Sequence, residues 1–240
     1  MTGVNLTQKA ANEPASLLLL NGGVGSRVQL DTPKQFYEIR GHPIMAYVLI
    51  AATFVEAIKE IVINAPKGFE GRTQSILEHY CPNIPSKLVK AGTSRQSSTR
   101  KLVQAASYEC VLVHETARPL ISAETYQTLL DHKEPNAGYF ADIPFSMCRL
   151  DLETQTIRKN VRRDKVFNIQ LPQKFKRATL LKAHEAAKLK KKKFTEDAVL
   201  VHKMVGEQFH AVPGDQRNIK VTTAKDLVIA SQLMDKGPKK

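Results

Sequence analysis

The residue types best suited to chemistry in this chain fall in one short stretch. Asn21-Gly22-Gly23-Val24-Gly25-Ser26-Arg27 follows directly on the apolar run Leu17-Leu18-Leu19-Leu20, and Pro33-Lys34-Gln35 comes shortly after it. Small residues at the end of a buried strand leave backbone N–H groups accessible. With the cations Arg27 and Lys34 beside them, they have the makings of a phosphate cradle. Two common glycine loops are excluded: the dinucleotide fingerprint needs a third small residue where Val28 stands, and the Walker loop needs Gly-Lys-Ser/Thr, which is absent here. The plain alternative is a tight strand-to-helix turn, in which small residues need no ligand.

Two further segments carry the same kind of chemistry, Ala91-Gly92-Thr93-Ser94-Arg95 running on to Ser98, and His114-Glu115-Thr116-Ala117-Arg118-Pro119. Each follows a strand-like run, Ser86 to Lys90 and Cys110 to His114, as the opening loop follows Leu17 to Leu20. Helical spacing of apolar residues separates these strands over Ile44 to Ala57, Phe69 to His79 and Ser97 to Ser107, and Glu60 to Ala65 reads as a further buried strand. Such alternation predicts an α/β fold with a mostly parallel sheet and helices on both faces. Ligands of such sheets bind outside the carboxyl ends of the strands, so the three loops are expected to converge. Ser97 and Ser98 have a simpler reading as caps of the helix that follows.

Beyond Gly138 the pattern changes. Ser146 to Lys165 alternates apolar and charged residues in short pieces, as an exposed β-ribbon would, and Lys159-Asn160-Val161-Arg162-Arg163-Asp164-Lys165 concentrates cations there. Ribbons of this kind pair with a second copy of a chain. Helices are expected at Leu180 to Leu189, from Thr195 as a cap, and at Ala224 to Leu233, with a strand at Phe209 to Val212.

The chain of 240 residues, 42% hydrophobic, is long enough for one sizeable core. A single domain over 15–235 is expected, between a frayed 1–14 segment and a basic 236–240 tail. No run approaches a membrane span and no signal-peptide layout opens the chain, which reads as soluble and cytoplasmic. Cys81, Cys110 and Cys148 are too scattered for a disulfide framework or a cysteine metal site. The formal charge of +13 arises partly from Lys188, Lys190, Lys191, Lys192, Lys193 and the tail, which read as solvated surface. The other cations stand at loop ends without an arginine-rich helix or interleaved aromatics, which favours phosphates on a small ligand over nucleic acid.

Taken in order, the motifs resemble a known family. Gly-Gly-x-Gly-x-Arg at 22–27, Pro-Lys-Gln-Phe at 33–36, Gly-x-x-Arg-x-x-Ser at 92–98, Val-His-x-x-Ala-Arg-Pro at 113–119, Pro-Gln-x-Phe at 172–175, Thr-x-Asp-Ala at 195–198 and Asn-Ile-Lys-Val-Thr at 218–222 are similar to those of the methylerythritol phosphate cytidylyltransferases. The related ribitol-5-phosphate cytidylyltransferases share the skeleton. The resemblance spans Ser16 to Leu233. It implies a single Rossmann-like nucleotidyltransferase domain with a projecting β-arm over 142–168 for homodimerisation. It also implies CTP and a polyol phosphate as substrates and a divalent cation, usually Mg²⁺. By resemblance, Asn21, Gly22, Gly23 and Gly25 wrap the triphosphate, and Gly92 and Ser98 lie near the cytidine. Arg27, Lys34 and Lys220 surround the reacting α-phosphate, with the Thr222 hydroxyl nearby. Arg118, with Ser146 and Arg163 from the partner's arm, holds the acceptor.

The inventory agrees with that chemistry. A phosphate acceptor is already an anionic nucleophile, so attack on phosphorus calls for cations and alignment rather than an activated Ser, His or Cys. The chain departs from the family pattern at Glu115-Thr116, where Asp-Ala is usual, and at Phe145-Ser146, where Asp-Thr is usual. Asn21 stands in place of Ala, and Leu171 in place of Thr. Glu115 is the residue that would place the metal. These departures leave three alternatives: transfer to 2-C-methyl-D-erythritol 4-phosphate, transfer to D-ribitol 5-phosphate, and a catalytically weak nucleotide-binding relative.

Overall fold

The computed structural model of the chain describes residues 13–23 and 32–234. Its strands are β1 (Ala15–Leu20), β2 (Glu38–Ile39), β3 (His42–Pro43), β4 (Ile58–Ala65), β5 (Ser86–Lys90), β6 (Cys110–Glu115), β7 (Ala137–Asp142), β8 (Met147–Asp151), β9 (Thr156–Val161), β10 (Phe167–Lys176) and β11 (His210–Pro213). The helices are α1 (Ile44–Thr53), α2 (Glu70–Tyr80), α3 (Arg95–Ala105), α4 (Ala123–Asp131), α5 (Arg177–Leu189), α6 (Asp197–Val205) and α7 (Ala224–Met234).

The apolar run that opens the chain becomes a central strand because both faces of its sheet are covered. Alternate residues of β1 and β4 point to opposite sides. Leu17, Leu19, Ile61 and Ile63 pack with Val48 and Leu49 of α1, Leu77 of α2 and Leu129 of α4. Leu18 and Val62 pack with Leu102 and Val103 of α3, Leu180 and Ala183 of α5, and Leu200 of α6. A smaller cluster of Ile39, Ile44, Val221 and Ala230 anchors the segment before α7 to the β2–β3 hairpin.

The sheet runs in the order β11-β7-β10-β6-β1-β4-β5. β1 is parallel to β4 and β6, β4 to β5, and β11 to β7; β10 alone is antiparallel, between β6 and β7. The expectation of a mostly parallel sheet with helices on both faces therefore holds. β10 and α4 go beyond the sequence pattern. β10 carries Pro172 and the polar residues Asn168, Gln170, Gln173 and Lys174, which read against a central strand, and its register with β7 shifts between Ile169 and Gln173.

Asp142 at the end of β7 pairs with Phe167 at the start of β10, so the residues between them leave the sheet together. Within that excursion β8 and β9 pair, among the described residues, only with each other. Leu152 (84% exposed), Ile157 (73%) and Phe145 (72%) are left in solvent.

Two cap assignments need correction. The N-cap of α3 is Ser94, whose side chain accepts from the Ser97 N–H in a reciprocal capping box; Ser97 lies one turn inside and Ser98 deeper still. α6 starts after Glu196, with no side-chain cap, so Thr195 does not fill that role. No helix among the described residues is long and apolar enough to cross a membrane.

Candidate active site

The segments that leave β1, β5 and β6 start at the carboxyl ends of parallel strands of one sheet, with β4 between β1 and β5, and residues 218–222 bond to the segment after β6. The contact between the first two is close. A Cβ on Gly22 would stand 2.7 Å from the Ala91 Cβ, so the opening loop lies directly on the loop after β5. Gly92 has no more room, since its Cβ would fall 2.2 Å from Ser97 Oγ and 2.7 Å from the Ser98 nitrogen. The Gly92 N–H instead donates to Ser98 Oγ at 2.9 Å. Gly22, Gly23, Gly92 and Ser98 are thus brought to one place. Gly25 and Arg27 lie outside the described residues.

Gln35 fixes the opening loop from behind. It is buried, and its Nε2 donates to the carbonyls of Asn21 at 2.6 Å and Gly23 at 3.1 Å. The adjacent Lys34 extends the other way, and its Nζ donates to the Val221 carbonyl at 2.6 Å. Asn21 is tied to the loop after β6, its Oδ1 accepting from Thr116 Oγ1 at 2.6 Å.

At the centre stands Glu115, 7% exposed. One oxygen accepts from Arg118 Nε at 2.7 Å and the other pairs with Lys220 Nζ. Burial pushes the carboxyl up, but the Lys220 and Arg118 cations together outweigh burial and hold it at about 2. Arg118 also donates through Nη1 to the Asn218 carbonyl at 2.6 Å, and the Val221 N–H donates to the Ala117 carbonyl at 2.8 Å. These bonds fasten the 218–222 segment to the loop after β6. Thr222 donates its hydroxyl to Asp226 at 2.8 Å at the start of α7, so the hydroxyl is held in a helix-end contact. His114, next to Glu115, is wholly buried edge-on to Tyr126, and burial pushes its imidazole down to about 3, where it stays neutral.

Beneath this centre lies a second charged group. Arg95 Nη1 contacts Asp197 Oδ2 at 2.9 Å, and Asp197 Oδ1 stands 3.2 Å from His184 Nε2 in the buried interior. Burial pushes Asp197 up, while Arg95 and His184 outweigh that and lower it. The pair links the start of α3, and hence the Gly92 loop, to the start of α6.

Ser146 and Arg163 are not brought to the centre by their own chain. Both are exposed on the arm, and neither bonds to any site residue named above. Asp215 turns outward to an ion pair with Arg217.

The donor set does not fit a resident divalent cation. Both Glu115 oxygens are engaged by cations, and no cluster of three His, Cys, Asp or Glu side chains suited to a metal exists among the described residues. Hard Mg²⁺ prefers carboxylates free to meet it, or substrate phosphates.

Gln35, Thr116, Arg95 and Asp197 are site residues that a search for phosphate-binding cations passes over. The signal for them was their place inside motifs, since Gln35 and Thr116 carry no charge and the charges of Arg95 and Asp197 are spent on one another.

The 2-C-methyl-D-erythritol 4-phosphate cytidylyltransferase (IspD) family model matches residues 16–236. A protein of that description from Deinococcus radiodurans is 32% identical over 217 residues, covering 90% of this chain and 88% of its own. Another from Clostridium botulinum is 30% identical, covering 92% and 97%. A crystal structure of 4-diphosphocytidyl-2C-methyl-D-erythritol synthase from Anaerococcus prevotii superposes with a TM-score of 0.81 at 24% identity over 93% of this chain and 99% of that one, a likeness of fold.

Proposed function

The chain belongs to the 2-C-methyl-D-erythritol 4-phosphate cytidylyltransferase family, and from that premise we propose that it transfers CMP from CTP to 2-C-methyl-D-erythritol 4-phosphate, releasing pyrophosphate. The observation that carries this reading is the grouping of Lys34, Arg118 and Lys220 about Glu115 and the 218–221 backbone, with Asn21 at the start of the opening loop tied to the same segment after β6 through Thr116.

A phosphate oxygen of the acceptor attacks the α-phosphorus of CTP. The new P–O bond forms as the bond to the bridging oxygen breaks, and the electron pair leaves on pyrophosphate. No proton needs to be removed from the nucleophile. What the protein supplies is charge neutralisation and alignment. Lys34 and Lys220, with Arg27 outside the described residues, are assigned to the α-phosphate, and Arg118 to the acceptor. Glu115 orients Lys220 and Arg118 through its two oxygens. The divalent cation enters as part of the substrate, as Mg–CTP.

The dimer completes the reading. The apolar side chains Leu150, Leu152 and Ile157 on a two-stranded arm suit pairing with a second copy. Ser146 and Arg163 are assigned to the partner's acceptor site, which accounts for their distance from their own centre. The rest of 15–235 forms one nucleotidyltransferase domain. The free thiols Cys81, Cys110 and Cys148 suit the reducing cytoplasm, where CTP is made.

The test is pyrophosphate release by purified protein with CTP and Mg²⁺. Release is expected to be faster with 2-C-methyl-D-erythritol 4-phosphate than with D-ribitol 5-phosphate. The reverse order would reassign the acceptor, and no release with either would end the proposal.

A further inference from the structure

The opening loop holds a hydrogen-bond donor without an acceptor. Asn21 is 2% exposed, and its Oδ1 receives the Thr116 hydroxyl at 2.6 Å. That separation suits an O–H···O bond and is short for N–H···O, so the amide is oriented with Oδ1 toward Thr116 and Nδ2 away from it. Nδ2 is buried and has no partner among the described residues. The acceptors of its own loop are engaged. The Leu20 carbonyl takes the Thr116 N–H at 3.2 Å, and the Asn21 and Gly23 carbonyls both take Gln35 Nε2. Native structures keep few buried donors unpaired, and each calls for a cause.

We propose that Asn21 Nδ2 donates to an acceptor oxygen of the bound nucleotide, and that Thr116 is the positioning residue that turns the amide to do so. This rests on the nucleotide reading of the opening loop. The two side chains are also the ones that stand where the family pattern has alanine, and here they meet. An asparagine alone in this place would be free to flip and present its oxygen, which repels phosphate. The hydroxyl beside it holds Oδ1 and leaves Nδ2 as the group that donates.

The test compares Asn21→Ala, Asn21→Asp, Thr116→Val and the double Asn21→Ala/Thr116→Ala, which restores the small residues of the family pattern and guards against a failure to fold. KM for CTP, KM for the acceptor and kcat are measured, with CTP and pyrophosphate affinities by calorimetry. Loss of one hydrogen bond predicts a KM for CTP raised about 5- to 10-fold in Asn21→Ala, with kcat within about threefold and acceptor KM unchanged. Asn21→Asp raises it further. Thr116→Val raises it part of the way, and the double variant goes no further than Asn21→Ala alone. A parallel loss of pyrophosphate affinity places the acceptor oxygen on the phosphates; unchanged pyrophosphate affinity places it on the nucleoside. Unaltered CTP KM and affinity in both Asn21 variants would overturn the proposal, even if their melting temperatures fell. Failure of the unaltered chain to bind CTP would instead overturn the nucleotide reading, and this inference with it.

Discussion

Lys34 is bonded through its ammonium to the carbonyl of Val221, the residue between Lys220 and Thr222. The Lys34 ammonium is thereby set against the backbone that follows Lys220, while the Lys220 ammonium itself pairs with Glu115. Lys34→Gln and Lys220→Gln are each expected to lower kcat by about 10²–10³-fold, the usual cost of removing a preorganised electrostatic group. With both assigned to one phosphorus, the double variant is expected to lose less than the product of the single effects. Steady-state pyrophosphate release, with circular-dichroism melting to show an intact fold, measures this. A loss below about tenfold would remove Lys34 from the reaction.

Glu115 gives the protein an acid sensitivity of predictable sign. Its carboxyl is held at about 2, below the ordinary 4.5. A group depressed in this way contributes stability that is fully present above about 4.5 and is lost as pH falls toward 2. Glu115→Gln is therefore less stable than the parent at neutral pH, and the gap narrows on acidification through that window. Urea unfolding at a series of pH values reads the gap directly; a gap constant from pH 5 to pH 2 would contradict the assignment.

Asp197 is 1% exposed and holds Arg95 and His184. Breaking a buried pair by removing one partner leaves the other charge uncompensated and costs about 3–5 kcal/mol. Asp197→Ala should lower the unfolding free energy by that amount in urea melts. Arg95 begins the helix that follows Gly92, so the folded fraction is also expected to bind CTP more weakly. A variant as stable as the parent would mean that the pair is replaced without loss.

The arm is tested by charge. Leu152→Glu together with Ile157→Glu places two carboxylates on exposed apolar positions of β8–β9 and its turn. Light scattering is expected to give half the parental mass, and kcat/KM for the acceptor to fall more than CTP affinity, since Ser146 and Arg163 are assigned to the partner's site. A monomer with full acceptor turnover would return both residues to their own chain or to no role.

Much of the fold was legible because its signals are local. Leu17 to Leu20 ending in small residues, the β-branched run through Ile61 to Ile63, and the helical spacing after Ile44 each state their structure within a few residues. β10 was not legible in this way. Its place between β6 and β7 is set by pairing partners far off in the chain, which outweigh the poor strand character of Pro172 and its polar neighbours.

By itself the sequence determined that this chain carries a glycine loop with trailing cations at a strand end, and which motifs follow in which order. It also placed Arg118 and Lys220 in motifs suited to phosphate. Only the tertiary structure decided that Glu115 sits between those two cations, that Lys34 reaches Val221, and that Thr116 bonds Asn21. The physical reason is that residue type fixes what a side chain offers, whereas its partner depends on sheet order and on the demand that buried polar groups be satisfied across loops remote in sequence.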